Sequence, residues 1–151
     1  IVMPLEEEIQ SRFQSKQQKA GVNLIFSGNW LSDRVSQMLR QHGITMQQFN
    51  TLRILRGALP EKVSVKYIRE RMLDKMSDVS RVVEKLREKR FLVREECPED
   101  RRNVNISITN KGLAKLTEID RDLPKIDGIF SDFSESELDS FNTLLDKLRK
   151  K

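Results

Sequence analysis

Residues 77–112, SDVSRVVEKLREKRFLVREECPEDRRNVNISITNKG, change hydrophobic period midway. Val79, Val82, Val83 and Leu86 recur at helical spacing, whereas Val104, Ile106 and Ile108 alternate with polar residues. The first pattern predicts a helix, which Ser77 is placed to cap. The second belongs to a pair of strands over 91–96 and 103–109, joined by the turn Pro98-Glu99-Asp100-Arg101-Arg102 into a hairpin. Helix returns at Thr109 or Asn110. On the first helix Asp78, Ser80, Arg81 and Lys85 lie opposite the apolar stripe. That face offers short hydrogen-bonding groups near the N-terminus and cations beyond.

Upstream, Thr45 and Gln48 form a capping-box pair, and Phe49, Leu52, Leu55 and Leu59 follow at helical spacing until Pro60. Ser64 caps a further helix, in which Val65, Ile68 and Met72 face inward. Helix, turn, helix and two-stranded hairpin is the order of a winged helix-turn-helix. In that arrangement the second helix enters the major groove of DNA, and the hairpin lies beside it on the backbone or minor groove. Arginine is the commonest specific partner of guanine, and a helix N-terminus favours phosphate. Asp78 repels phosphate, so it is read as a cap or as an acceptor from a cytosine amino group.

The flanks read as helix. Leu5, Ile9 and Phe13, then Leu24, Leu31 and Met38, predict one helix over 5–41 whose apolar stripe needs a partner, broken by His42-Gly43-Ile44-Thr45. Gly21 and Gly28, seven apart, permit close helix approach or a bend. At the other end Ser134 and Glu137 form a second capping box before Leu138, Phe141, Leu144, Leu145 and Leu148.

The 151 residues carry a net charge of +5, unevenly spread. Residues 45–115 hold 17 Lys and Arg against 10 Asp and Glu, and the remainder 11 against 13. A basic middle is the footprint of a nucleic-acid surface, although a solvated charged face produces the same count. One Cys and one His exclude an internal disulfide and a zinc constellation, so no metal and no cofactor is expected. The chain offers no nucleophile and base pair, phosphate loop or metal cluster, which argues against an enzyme. The longest uncharged run, residues 20–32, is too short and polar to cross a bilayer. IVMPLEEEI lacks the features of a secretory signal, so a cytoplasmic protein is expected, with Met3 a candidate start.

The run SVKYIRERMLDKMSDVSRVVEKLREKRFLVREECPEDRRNVNISITNKGLAKL, residues 64–116, closely resembles the multiple antibiotic resistance regulator (MarR) family of bacterial transcription factors, and HGITMQQFNTLRIL is similar to that family's second helix. The resemblance implies a mainly α fold with a small β-hairpin wing. It implies one domain over 1–151, with a DNA-binding lobe over 43–109 and helical dimerisation regions over 4–42 and 110–151. The expected partners are double-stranded DNA and a second copy of the chain, an obligate homodimer on a pseudopalindrome. DNA contact is expected from Ser64, Lys66, Lys75, Ser77, Asp78, Ser80, Arg81 and Lys85. At the wing tip Arg101 or Arg102 would reach the minor groove, with Asp100 holding an arginine in position.

The resemblance also points to a small aromatic or phenolic effector in a pocket of Phe26, Trp30, His42 and Phe49. Two positions depart from the family pattern: Arg90 and Leu73 stand where glycine is usual, the first at a site that favours φ > 0. Cys97 lies near the wing, but the family's oxidation sensors carry their reactive cysteine near the N-terminus, and Cys97 is read as a bystander. A winged helix used only for protein contact is the rival reading. Arg81, Lys85, Lys89 and Arg90 speak against it, since such a module needs no basic recognition helix.

Overall fold

The computed structural model describes residues 1–100 and 102–150. Its elements are α1 (Leu5–Glu8), α2 (Lys16–Gln41), α3 (Met46–Ala58), α4 (Val65–Arg71), α5 (Val79–Glu88), β1 (Leu92–Glu96), β2 (Val104–Ile108), α6 (Asn110–Asp120), α7 (Leu123–Asp127), a 3-10 turn (Gly128–Phe130) and α8 (Glu135–Leu148). Among the described residues no helix is long and apolar enough to cross a membrane. The mainly α fold with a β-hairpin wing is as expected from the sequence.

Local chemistry explains most boundaries. Thr45 and Gln48 form the reciprocal capping box at α3, and Ser134 and Glu137 do so at α8. The Ser64 hydroxyl accepts from the Tyr67 N–H at α4, and Thr109 accepts from the Gly112 N–H at α6. The strands pair antiparallel with Leu92 opposite Ile108 and Glu96 opposite Val104. Val63 adds one bridge to Ile106, which ties the approach to α4 to the hairpin.

The core joins all of these. Leu39 of α2, Leu52 and Leu55 of α3, Ile68, Val79, Val83 and Leu86, and the strand residues Leu92 and Ile106 are buried, as are Leu116 and Ile119 of α6. The winged module therefore folds around the end of α2 and the inner face of α6. By contrast no residue of α8 is fully buried within the chain.

Four details differ from the expectations. The single helix over 5–41 is two helices, because the chain turns at Gln10, φ 51°, and restarts at Ser15, whose hydroxyl accepts from the Gln18 N–H. Asp78, not Ser77, caps α5: its Oδ1 accepts from the Arg81 N–H at 3.2 Å, and the Ser77 hydroxyl is buried without a partner among the described residues. Leu59 lies beyond the end of α3 and is exposed. Gly21 and Gly28 meet nothing within 4 Å, so neither mediates close packing within the chain.

Helices α2 and α5 end in the same way. After α2, Ile44 N–H reaches Leu39 C=O and Gly43 N–H reaches Arg40 C=O, with Gly43 at φ 71°. After α5, Phe91 N–H reaches Leu86 C=O and Arg90 N–H reaches Arg87 C=O, with Arg90 at φ 62°. This Schellman closure needs a left-handed residue, which glycine supplies without steric cost and arginine does not. Replacing Arg90→Gly relieves that strain against glycine's greater freedom in the unfolded chain. Urea denaturation should show a gain of roughly 0.5–1 kcal/mol; a loss would mean that the Arg90 side chain stabilises the fold.

Candidate nucleic-acid interface

The exposed face of α5 follows from its buried one. With Val79, Val83 and Leu86 fixed in the core, Ser80, Arg81 and Lys85 project to solvent. Arg81 has no ion-pair partner among the described residues, whereas Lys85 Nζ lies 3.3 Å from Glu88 in an exposed pair that costs little to break. Arg87 is committed instead to Glu84, through contacts of 2.7 and 3.0 Å. The guanidinium holds the Glu84 carboxyl below its usual range, and Glu84 raises Arg87 in turn.

The α4 side contributes less free charge. Lys66 is well exposed, 4.0 Å from Glu70. Lys75 donates from Nζ to the Glu70 main-chain oxygen at 2.7 Å. Ser64 is engaged as the α4 cap, and Asp78 as the α5 cap. Lys89 turns away from the interface: its Nζ donates to Gly43 O at 2.7 Å and Gln48 Oε1 at 3.2 Å, so it ties the end of α5 to the α2–α3 turn. It does not count as a free cation of the recognition face.

At the hairpin tip, Cys97 N–H donates to Asn103 O and Asn103 N–H to Asp100 O. Asp100 accepts from the Arg102 main-chain N–H at 2.9 Å and from the Asn103 side-chain amide at 3.4 Å. Its carboxylate therefore shapes the turn through the Arg102 main chain and the Asn103 amide, and among the described residues it forms no ion pair with the Arg102 guanidinium. Arg102 is exposed. Arg101 lies outside the described residues.

Arg94 was not anticipated. It sits on β1 two residues after buried Leu92, opposite Ile106, and shares a recess of about 190 Å³ with Val65, Ser80, Val83 and Glu84. Alternation along the strand carries the signal, since residues 92 and 94 share a face. The wing thus adds a cation beside Ser80 and Glu84 of α5.

A larger cleft, about 470 Å³, lies between α2 and the α7 region, lined by Trp30, Arg34, Gln37, Met38, Gln41, Lys125, Ile126 and Ile129. The Arg34 guanidinium stacks 3.9 Å over the Trp30 ring. Of the four residues expected to line an effector pocket, only Trp30 does so. Phe26 is half-buried elsewhere along α2, and Phe49 is buried in the core with Arg53 over its ring. His42 is buried between two carboxylates, Nδ1 3.2 Å from Glu118 and Nε2 2.8 Å from Asp122. Lys115 first and His42 second hold the Glu118 carboxyl below its ordinary range, and Lys125 and then His42 do the same for Asp122. These contacts fasten the end of α2 to the α6–α7 joint.

The sequence profile of the MarR family matches residues 42–103. The uncharacterized HTH-type transcriptional regulator YkoM of Bacillus subtilis (strain 168) is 34% identical over 112 residues, 72% of this chain and 70% of its own length. Among solved structures, BpsR of Bordetella bronchiseptica, whose DNA binding is regulated by 6-hydroxynicotinic acid, superposes with a TM-score of 0.77 at 22% identity, covering 87% of this chain and 99% of its own. MepR of S. aureus, solved as a DNA complex, gives 0.77 at 21% identity over 85% and 94%. The hairpin, the capped helix pair and this similarity agree: the chain belongs to the MarR family of winged-helix regulators.

Proposed function

We propose that the protein is a sequence-specific DNA-binding transcription regulator, a homodimer that places one winged lobe, residues 43–109, on each half-site of a pseudopalindrome. One observation carries this reading: Ser80, Arg81 and Lys85 stand exposed on α5 beside Arg94, with Arg102 exposed at the tip of the adjoining hairpin. In this arrangement α5 enters the major groove, where Arg81 pairs with guanine, and Arg102 reaches the minor groove. Lys66 and Lys85 contact phosphate, Arg101 belongs to the wing by its sequence position, and the capping residues Ser64 and Asp78 set the helix ends. Residues 4–42 and 110–151 form the dimer. A DNA partner agrees with a cytoplasmic location.

The cleft lined by Trp30, Arg34 and Lys125 supports a response to a small aromatic or phenolic effector. Such a ligand acts by favouring one arrangement of the two lobes over another. BpsR, of the same fold, responds to an aromatic acid.

Selection of bound duplexes from a random pool tests the reading, and the enriched sequences should form inverted half-sites centred about 34–36 Å apart or a multiple of that. On the selected duplex at fixed salt, Arg102→Ala should weaken binding on the order of tenfold, with stability changed by less than about 0.5 kcal/mol. Enrichment of no sequence would favour a protein-contact module, and unchanged affinity of Arg102→Ala would remove the wing from the interface.

A further inference from the structure

We propose that Leu73 and Met76, in the turn between α4 and α5, read the 5-methyl groups of thymines in the major groove. The inference rests on the DNA-reading role given to α5. Its starting point is exposure: Met76 is 91% and Leu73 83% exposed, and apart from Ile1 and Val2 at the chain end no large apolar side chain among the described residues is more so. Isolated exposed apolar residues are ordinary. Two at the same short turn, both held outward, are less so.

The turn is fixed rather than loose. The Leu73 N–H donates to Asn50 Oδ1 at 2.8 Å, the Met76 N–H to Asp74 Oδ1 at 2.9 Å, and the Ser77 N–H to Asp74 O at 3.2 Å. Met72 on one side and Val79 on the other are each 2% exposed and anchor the segment in the core. Main-chain hydrogen bonds and two buried anchors thus set where both side chains project.

Charge and position select the occupant. From Lys66 to Arg81 the chain carries five Lys and Arg against three Asp and Glu, and Lys66 and Arg81 are exposed cations. That combination fits an anionic polymer that also presents apolar points. A recognition helix meets base edges with its N-terminal end, and Met76 lies two residues before the Asp78 cap. The only apolar feature on the major-groove edge of a base pair is the thymine 5-methyl group. Leu73 and Met76 accordingly distinguish thymine from cytosine where Arg81 distinguishes guanine.

Replacing single thymines of the selected duplex by deoxyuridine removes the methyl group and keeps the base pair. The parent protein should lose about fourfold in affinity at each thymine that is read, the effect of one buried methyl. Met76→Ala or Leu73→Ala should bind the thymine duplex more weakly and lose that sensitivity at its own position, which a double-mutant cycle detects. Both residues are exposed, so the variants should melt with the parent. A parent indifferent to every thymine-to-uracil change overturns this inference alone, as does a methyl effect undiminished in both variants. Failure to enrich any sequence overturns the DNA-reading role and this inference together.

Discussion

A Gly112→Ala variant should lose about 3 kcal/mol of stability, near the upper end for adding one methyl group to a packed interior. An added Cβ would stand 2.2 Å from Phe91 O, 2.7 Å from Ile108 Cγ1 and 3.1 Å from Phe91 C. A flexible side chain can yield to such an intrusion, but this carbonyl cannot. The Phe91 N–H closes α5 on Leu86 O, the Phe91 C=O accepts from the Thr109 N–H, and its ring is buried. Relief therefore requires α6 to lift from the hairpin or the end of α5 to move, and either shifts the wing. For a chain of this length the melting temperature should fall by about 6–12 °C, with operator affinity reduced as well. Gly57→Ala serves as the control, because Gly57 lies on the exposed side of α3 and its Cβ would meet nothing within 4 Å. A Gly112→Ala protein that melts with the parent would mean that α6 and the hairpin are not packed this closely.

The helix ends and the wing were legible in the sequence because they depend on residues close together in the chain. Thr45 with Gln48, Ser64 and Ser134 with Glu137 each cap a helix three residues away, and Val104, Ile106 and Ile108 declare their face by alternation. Ser77 and Asp78 show where this kind of reading loses resolution. Both side chains are good caps, and only the backbone geometry decides which one meets the free N–H groups of α5.

Long-range partners were not legible. His42 and Phe49 look alike as pocket residues on paper, but His42 finds Glu118 and Asp122, 76 and 80 positions away. Lys89 has the composition of a DNA contact and instead reaches Gly43, 46 positions back. The break at Gln10 carries no glycine or proline to announce it. Arg94 lay within reach of strand alternation, yet its place beside Ser80 depends on how β1 packs against α5.

Removing residues 134–151 should convert the proposed dimer to a monomer while leaving the fold intact. The ends of α8 are set by a capping box and by the Arg149 N–H contacts to Leu145 and Asp146 carbonyls, so it is well formed, yet only Leu138 and Leu145 are even half-buried within the chain. Phe133, Phe141, Leu144 and Leu148 are between 45% and 64% exposed. A helix of fourteen residues is marginal in water unless its apolar stripe is covered. Leu24, Ile25 and Trp30 of α2 are exposed apolar side chains as well, and a two-fold axis lets apolar groups of one copy cover those of its partner.

The main hydrophobic cluster runs from Met38 to Ile119, so the shortened chain keeps its winged lobe. Sedimentation equilibrium should return the mass of one chain, and operator affinity should fall about 10²- to 10⁴-fold, the advantage that tethering two lobes provides. Leu144→Glu with Leu148→Glu keeps the chain length and should act in the same direction. The parent's melting temperature should rise with protein concentration and that of the shortened chain should not, because only association links stability to concentration. An intact dimer after the deletion would move the interface elsewhere, and the exposed stripe of α8 would then need another partner.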